Sequence, residues 1–143
     1  MNIENIQVGE QLPELSIDIT AKLIVGGAIA SRDYQNVHHD KDVAQALGSP
    51  DIFMNILTTN GLVGRYVTDW AGQGARLKKI AIRLGAPNYP GDTMVLRGKV
   101  VTIEPGDGQV ELEITGSNRY GDHVTGSVQL LLVDANPPAP ITD

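Results

Sequence analysis

The chain has 143 residues, a formal net charge of −6 and no cysteine. This length is typical of one domain with a substantial core. The acidic balance disfavours general binding to nucleic acids or anionic membranes, and the lack of cysteine excludes disulfides, thiolate nucleophiles and zinc–thiolate sites.

The two ends of the chain carry little sign of regular structure. The start, MNIENIQVGEQLPEL, has neither a basic segment nor an apolar core, so it does not resemble a signal peptide. No apolar run approaches the roughly 20 residues that a membrane span needs, and we therefore expect a cytoplasmic protein without membrane contact. The last ten residues, DANPPAPITD, contain three prolines. They are predicted to form a flexible tail (134–143) after a single domain (1–133).

In chain order, the first predicted element is one extended strand over IDITAKLIVGGAIA, residues 17–30. The polar loop SRDYQNVHHD follows, and then a short helical turn in VAQALG that ends at Gly48. A long helix is predicted in IFMNILTTNGLVGRYVTDWAG, starting at Ser49-Pro50 and ending at Gly72 and Gly74. Its predicted apolar face has helical spacing and consists of Ile56, Val63, Val67 and Trp70.

Two glycines, Gly61 and Gly64, lie inside this predicted helix. A glycine there costs about 1 kcal/mol relative to alanine, so a packing reason is expected. We predict that both allow the helix to approach a sheet closely.

The second half of the chain alternates between apolar and polar residues in four segments. These segments are RLKKIAIRL, TMVLRGKVVTI, QVELEITG and HVTGSVQLLLV, and they are joined by the turn sequences YPGD, EPGDG and NRYGD. Period-2 alternation with tight turns predicts an antiparallel meander with one buried face. The expected fold class is therefore α+β, with one long helix lying across a curved antiparallel sheet.

The polar loop places Asp33 five positions before His38. On a strand the two side chains would point to opposite faces, and on a regular helix they would lie about 140° apart. Only a turn or a short irregular helix can bring them together, and the intervening Tyr34-Gln35-Asn36 suits a turn. A carboxylate beside an imidazole can hold a water and act as an acid–base pair. The alternative is an ordinary ion pair on a solvated loop.

The neighbouring polar residues allow a further alternative, a metal site made of Asp33, His38, His39 and Asp40. Their spacing lacks the regularity of known ligand motifs, so no metal is expected. Because adjacent residues point apart, His39 is expected at the surface or at an interface. Asp40 is predicted to cap the helical turn that follows, and His123 is expected to be structural or exposed.

The segment from Asp33 to His38 resembles the signature of the MaoC-like, or (R)-specific, enoyl-CoA hydratases of the hot-dog fold. That signature is roughly Asp-x-Asn-Pro-Ile/Leu-His, and here Gln35 and Asn36 replace the usual Asn and Pro. Longer segments, RDYQNVHHDKD, SPDIFMNILTTNGLVGRYVTDWAG and RYGDHVTG, resemble the small subunit of actinobacterial steroid side-chain enoyl-CoA hydratases. The resemblance covers nearly the whole chain before the proline-rich tail.

This resemblance implies a single hot-dog fold, in which a curved antiparallel sheet wraps around a long central helix. It implies that Asp33 activates a water and that His38 helps to hold it and delivers a proton to the substrate's α-carbon. The backbone N–H of Asn55, in the position of a family glycine, is implied as the oxyanion donor. Asn60 corresponds approximately to a family serine that orients the catalytic pair.

The same resemblance implies the substrate and the partners. The substrate is an acyl-CoA thioester, with a steroid-CoA preferred, and CoA is part of the substrate rather than a cofactor. The partner is a larger MaoC-like/DUF35-type subunit in a heterotetramer; the alternative is a homodimer formed through the sheet. The basic cluster of the chain is predicted either to contact the CoA phosphates or to form a plain solvated face. Its members are Arg76, Lys78, Lys79 and Arg83.

Two other functions stay open for a fold of this kind. A hot-dog thioesterase would use a carboxylate on or near the helix, and Asp51 and Asp69 are the candidates. A non-catalytic subunit would only shape the pocket of another chain. The presence of both Asp33 and His38 favours the hydratase over either alternative.

Overall fold

The sheet of the molecule has five strands, all antiparallel, in the order β1-β3-β4-β5-β2. The structure is a computed structural model that describes residues 2–132, so the predicted boundary at residue 133 and the tail at 134–143 lie outside the described residues. The five strands are β1 (Leu15–Ile19), β2 (Ala75–Leu84), β3 (Asp92–Glu104), β4 (Gln109–Asn118) and β5 (Gly121–Leu132). The four predicted alternating strands are thus present as β2 to β5.

Three α-helices precede β2. They are α1 (Ala21–Ala30), α2 (Lys41–Ala46) and α3 (Ile56–Ala71), and short 3-10 helices lie at Ile3–Asn5 and Asn36–His38. Within the described part of the chain, no helix combines the length and the apolar character that crossing a membrane requires. The curled sheet packs on the long helix α3, which confirms the predicted α+β class.

The core forms where the apolar faces of the strands meet α3. Fully buried strand residues occur at alternate positions, as the sequence predicted, and include Met94, Leu96, Val100, Val110, Leu112, Val124, Val128 and Leu130. From α3, the buried positions are Thr59, Val63, Tyr66, Val67 and Ala71. Two of the four residues predicted for this face are therefore buried, whereas Ile56 is 49% exposed and Trp70 is half-buried.

The two glycines inside α3 behave differently. A Cβ at Gly64 would lie 3.4 Å from the Ile80 side chain, which is an ordinary contact, so the helix lies near β2 there but leaves room for a methyl group. A Cβ at Gly61 would meet nothing within 4 Å. The packing prediction is therefore wrong for Gly61.

The prediction of one strand over residues 17–30 is wrong, because the chain leaves β1 at Ile19 and forms α1 from Ala21. Thr20 caps this helix by accepting a hydrogen bond from the Leu23 N–H at 3.0 Å. Ile24 and Ala28, four residues apart, form its buried stripe. A continuous apolar run of this kind fits a buried strand and a buried helix equally well until its packing partners are known.

The predicted start of the long helix at Ser49-Pro50 is also wrong. The helix begins at Ile56, and Asn55 is its N-cap residue. The residues before it make long-range backbone hydrogen bonds instead, from the Phe53 N–H to the Val37 carbonyl (3.3 Å) and from the Met54 N–H to the Asn88 carbonyl (3.1 Å). The predicted end is correct, because Gly72 terminates α3 with a φ of 78°.

Helix α1 approaches the first turn of α3 at Gly27, where a Cβ would overlap the Thr58 hydroxyl. Its neighbour Gly26 is exposed and has open space around it. We expect Gly27→Ala to lower the free energy of unfolding by about 1–3 kcal/mol, because the added methyl group overpacks the contact. The matched control Gly26→Ala should raise it by about 0.5–1 kcal/mol through helix propensity. Urea unfolding of both variants measures the difference, and equal effects would contradict the close approach.

Candidate active site

The end of α1 places Asp33. The Arg32 N–H donates to the Ile29 carbonyl (3.0 Å), and the Asp33 N–H donates to the Ala28 carbonyl (2.8 Å). These two bonds form a Schellman motif, and Arg32 takes the left-handed position that glycine usually occupies, with a φ of 57°. Asp33 is thus the last residue of a fixed helix end, although it lies beyond the helix itself.

Two neutral N–H donors hold the Asp33 carboxylate. The Asn55 side-chain amide donates to Oδ2 at 3.0 Å, and the Gln35 backbone N–H donates to Oδ1 at 3.3 Å. The Asn55 bond is the main cause that lowers the pKa of Asp33 below its ordinary value; partial burial opposes it, and the Gln35 N–H and the two neighbouring histidines add to it. Asp33 is therefore ionised at neutral pH.

Asn55 joins the end of α1 to the start of α3. Its Oδ1 accepts from the Thr58 N–H (3.0 Å) and the Thr58 hydroxyl (2.6 Å). Its Nδ2 donates to the Ser31 hydroxyl oxygen (2.9 Å) as well as to Asp33. The backbone N–H of Thr58 can only donate, so it fixes which side of the amide is oxygen. This side chain is 2% exposed and fully hydrogen-bonded.

His38 is held by the segment that precedes α3. It ends the 3-10 helix Asn36–His38, where the chain turns back as the sequence predicted. Its Nδ1 lies 2.6 Å from the Phe53 carbonyl oxygen. Because a carbonyl only accepts, Nδ1 carries a hydrogen, and the Phe53 ring packs edge-on at 5.0 Å between centroids. Any proton that His38 exchanges is therefore exchanged at Nε2.

The Nε2 atom of His38 lies 3.3 Å from Oδ2 of Asp33. The structure thus brings the two predicted residues together, with His38 nearly buried and the Asp33 side chain 20% exposed. Both line a pocket of about 350 Å³. Its remaining lining residues are Gln35, Phe53, Met54, Asn55, Ile56, Leu84, Gly85, Pro87 and His123.

The first turn of α3 faces this pocket through Asn55 and Ile56. A helix start carries N–H groups without intrahelical partners and the positive end of the helix dipole. Within residues 2–132, no hydrogen-bond partner is found for the Asn55 backbone N–H. The Asn88 carbonyl accepts from the preceding Met54 N–H and so holds the backbone at the pocket wall. The arrangement can stabilise negative charge on a bound group.

The other predicted orienting residue, Asn60, is not brought to the pair. It lies one turn further along α3, is absent from the pocket lining, and makes no hydrogen bond to Asp33 or His38. The Asn55 side chain, which hydrogen-bonds to Asp33, can instead take the orienting role that was predicted for Asn60. The predicted role of the Asn55 backbone N–H stays a prediction.

His39 and His123 each have a defined contact. His39 Nε2 lies 2.7 Å from the Asp33 backbone carbonyl oxygen. His123 is 1% exposed and lies between the Ala86 carbonyl (2.7 Å from Nδ1) and the Thr59 hydroxyl (2.8 Å from Nε2). Burial lowers the pKa of His123, so its ring is neutral and structural.

No three His, Asp or Glu side chains of the described chain converge as a possible metal site. The prediction that no metal takes part stays a prediction. Asp40 caps α2 as predicted, by accepting from the Asp42 and Val43 N–H groups.

The four predicted CoA-binding residues all lie on β2, at the edge of the sheet, and all are exposed. Only Arg83 is close to the pocket. It lines a smaller cavity of about 160 Å³ that shares Leu84 and Gly85 with the catalytic pocket. Arg76, at the other end of the strand, is seven residues or about 23 Å away.

The two carboxylates considered for a thioesterase lie elsewhere. Asp51 is outside the helix and 3.4 Å from Lys41 Nζ. Asp69 is near the far end of α3, 3.4 Å from Arg65. Neither lines the pocket that contains Asp33 and His38.

Sequence reasoning missed the contributions of Ser31, Phe53 and the Asn55 side chain. The signal for Asn55 was present, because asparagine is a favoured N-cap residue and Thr58 follows three positions later. The Phe53 carbonyl acts through its backbone across 15 positions, and no side-chain pattern marks such a contact.

Comparisons with known proteins agree with this geometry. A family model described as "MaoC like domain" matches residues 5–119. The chain is 50% identical over 128 residues to the beta subunit of 3-oxo-4,17-pregnadiene-20-carboxyl-CoA hydratase of Mycobacterium tuberculosis. The aligned region covers 90% of this chain and 98% of that protein.

Among solved structures, the ChsH1-ChsH2 complex from Mycobacterium tuberculosis matches with a TM-score of 0.85 at 50% identity, over 88% of this chain and 98% of that chain. The (R)-hydratase from A. caviae involved in PHA biosynthesis matches with a TM-score of 0.83 at 18% identity, over 90% of this chain and 98% of that chain. The second match concerns the fold alone, and it confirms the predicted hot-dog fold. By sequence and by structure, the chain belongs to the family of MaoC-like domains.

Proposed function

We propose that the protein is an enoyl-CoA hydratase, which adds water across the double bond of an α,β-unsaturated acyl-CoA thioester. The observation that carries this proposal is the contact between Asp33 Oδ2 and His38 Nε2 in a pocket beside the start of α3. A carboxylate and an imidazole in contact can both hydrogen-bond to one water molecule bound beside them in the pocket. The family membership and the hydratase name of the 50% identical relative support the same chemistry.

The reaction uses both members of the pair. Asp33 accepts a proton from the water as its oxygen adds to the β-carbon, and the protonated His38 gives its Nε2 proton to the α-carbon. The proton on Asp33 then passes to His38 Nε2, 3.3 Å away, which restores the starting state. Both transfers occur on one face of the double bond, so the addition is syn.

Negative charge develops on the thioester oxygen as water adds. Donors already in place at that position lower the barrier, because they need no reorganisation during the step. The backbone N–H of Asn55 at the start of α3 is the proposed donor. It acts with the positive end of the helix dipole.

The substrate proposed for this pocket is a CoA thioester with an unsaturated short side chain on a steroid skeleton. The relative's name specifies a pregnadiene carboxyl-CoA. The pocket offers an apolar wall for such a group, formed by Phe53, Ile56, Leu84 and Pro87. The CoA phosphates would meet Arg83, the basic residue at the end of β2 nearest the pocket.

The proposed assembly is heteromeric, with a larger MaoC-like/DUF35-type subunit. The matched relative occurs in a two-component complex. Within residues 2–132, strand β2 pairs only with β5 and forms one edge of the sheet. Its Leu77 and Leu84 are 41% and 36% exposed. An open strand edge with exposed leucines favours pairing with another subunit, and a homodimer through the same edge is the alternative.

We expect Asp33→Asn and His38→Ala each to reduce turnover of an enoyl-CoA by about 10²–10⁴-fold, because each removes one proton-transfer group. Loss of the conjugated-thioester absorbance measures hydration, and a thiol reagent measures release of free CoA by any thioesterase. The assays are run with and without the co-purified partner subunit. Near-normal turnover in both variants, with unchanged circular dichroism, would contradict the assignment of Asp33 and His38 as the proton-transfer groups.

The pH profile of turnover tests how Asn55 acts on Asp33. Activity needs the ionised carboxylate, so it is present above the pKa of Asp33 and is lost as the pH falls through it. Asn55→Ser keeps an N-cap oxygen but removes the amide donor, so the pKa rises and the acid limb moves to higher pH. Asn55→Asp adds a like charge and should move it further. An acid limb that stays in place in both variants would contradict the assigned contact.

The position of Arg83 predicts its effect on substrate binding. Arg83→Ala should raise KM for the CoA substrate by about fivefold, since an exposed charge contact contributes about 1 kcal/mol. The effect should shrink at high salt. Arg76→Ala, with the same charge change at the far end of β2, is the matched control and should leave KM unchanged. Equal KM values in both variants would indicate that these residues form an ordinary solvated face and do not bind CoA.

A further inference from the structure

The loop that carries the catalytic pair, residues 31–40, contains no proline. Its shape must therefore come from hydrogen bonds rather than from ring-restricted backbone angles. One of these bonds spans the loop. His39 Nε2 lies 2.7 Å from the Asp33 carbonyl oxygen, six residues back along the chain.

The direction of this bond follows from its acceptor. A carbonyl oxygen only accepts, so Nε2 of His39 carries the hydrogen. That hydrogen is present in one neutral tautomer and in the protonated ring alike. The contact therefore persists whether or not His39 is charged, and it can serve as a permanent clamp.

This bond completes the fixation of the Asp33 backbone. On one side the Asp33 N–H is held by the Ala28 carbonyl at 2.8 Å. On the other side the Asp33 carbonyl is held by His39. His38 directly precedes His39 in the chain. The hydrogen bond from His39 to the Asp33 carbonyl therefore limits how far the backbones of Asp33 and His38 can move apart.

We propose that His39 is a positioning residue, whose Nε2–H closes the loop and holds the Asp33 carboxylate against His38. It does not touch the reacting atoms. The proposal rests on the proposed hydratase function for its effect on turnover, and on the structure alone for its effect on the loop. A displacement of about 1 Å between reacting groups can cost about 10²-fold in rate, so the loss of this bond should be visible in kcat.

Two variants distinguish the effect of the His39 N–H donor from the effect of its ring. His39→Phe keeps the planar ring and removes the donor, whereas His39→Gln offers a side-chain N–H of similar reach. With the complete protein and its partner, and a short 2-enoyl-CoA as the probe, His39→Phe should lower kcat by about tenfold or more. Its KM should change less than twofold, because the CoA contacts are untouched. His39→Gln should recover most of the loss.

Hydrogen exchange of residues 33–40 gives a readout that needs no substrate. The backbone N–H groups of Asp33, His38 and Asp40 are bonded within or next to this loop. In His39→Phe these amides should exchange about tenfold faster than in the wild type, while exchange in β3 and β4 stays the same. In His39→Gln they should stay protected.

Three results would overturn the proposal. The first is a His39→Phe variant with wild-type exchange. The second is faster loop exchange with kcat within twofold of the wild type, because the bond would then not position the pair. The third is a His39→Gln variant as impaired as His39→Phe, because the proposal requires the donor. If the wild type hydrates no enoyl-CoA, the proposed function fails, and the exchange comparison still decides whether His39 clamps the loop.

Discussion

The hydrogen bonds of the Asn55 side-chain amide tie the chemistry of the site to the packing of the fold. One planar group caps α3 through Thr58 and reaches back to Asp33 at the end of α1. The distance between the carboxylate and the free N–H groups of the helix start is therefore fixed by a rigid unit. A reacting thioester needs both at once, the first to activate water and the second to hold developing charge.

This bridge is possible only because the two helices approach closely. At Gly27 there is no room for a Cβ, since the Thr58 hydroxyl occupies that space. The same hydroxyl donates to Asn55 Oδ1. The packing of α1 on α3 and the orientation of Asp33 therefore depend on the same contacts, those of Thr58 and Asn55. A change in core packing on this side would be felt at the carboxylate through the Asn55 side chain.

The sequence predicted β2 to β5 and their buried faces because one side of each strand is apolar and the other polar. It failed at α1, because the run LIVGGAIA is apolar on all sides and periodicity cannot separate a buried helix from a buried strand. It failed at the start of α3 because Ser49-Pro50 imitates a helix start. The real cap depends on long-range bonds that hold Phe53 and Met54 outside the helix. The residues alone left the Asp33–His38 pair open, because they also fit an ion pair on a solvated loop. The resemblance to the MaoC-like hydratases was needed to predict the pair.

The nature of the donors around Asp33 has a chemical consequence. No lysine or arginine of residues 2–132 pairs with this carboxylate; an amide and a backbone N–H stabilise it instead. A permanent cation in contact would lower the pKa of Asp33 further and weaken it as a base. Neutral donors keep the carboxylate ionised while leaving His38 as the only proton carrier in contact with it, which is what a proton exchange between the two residues requires.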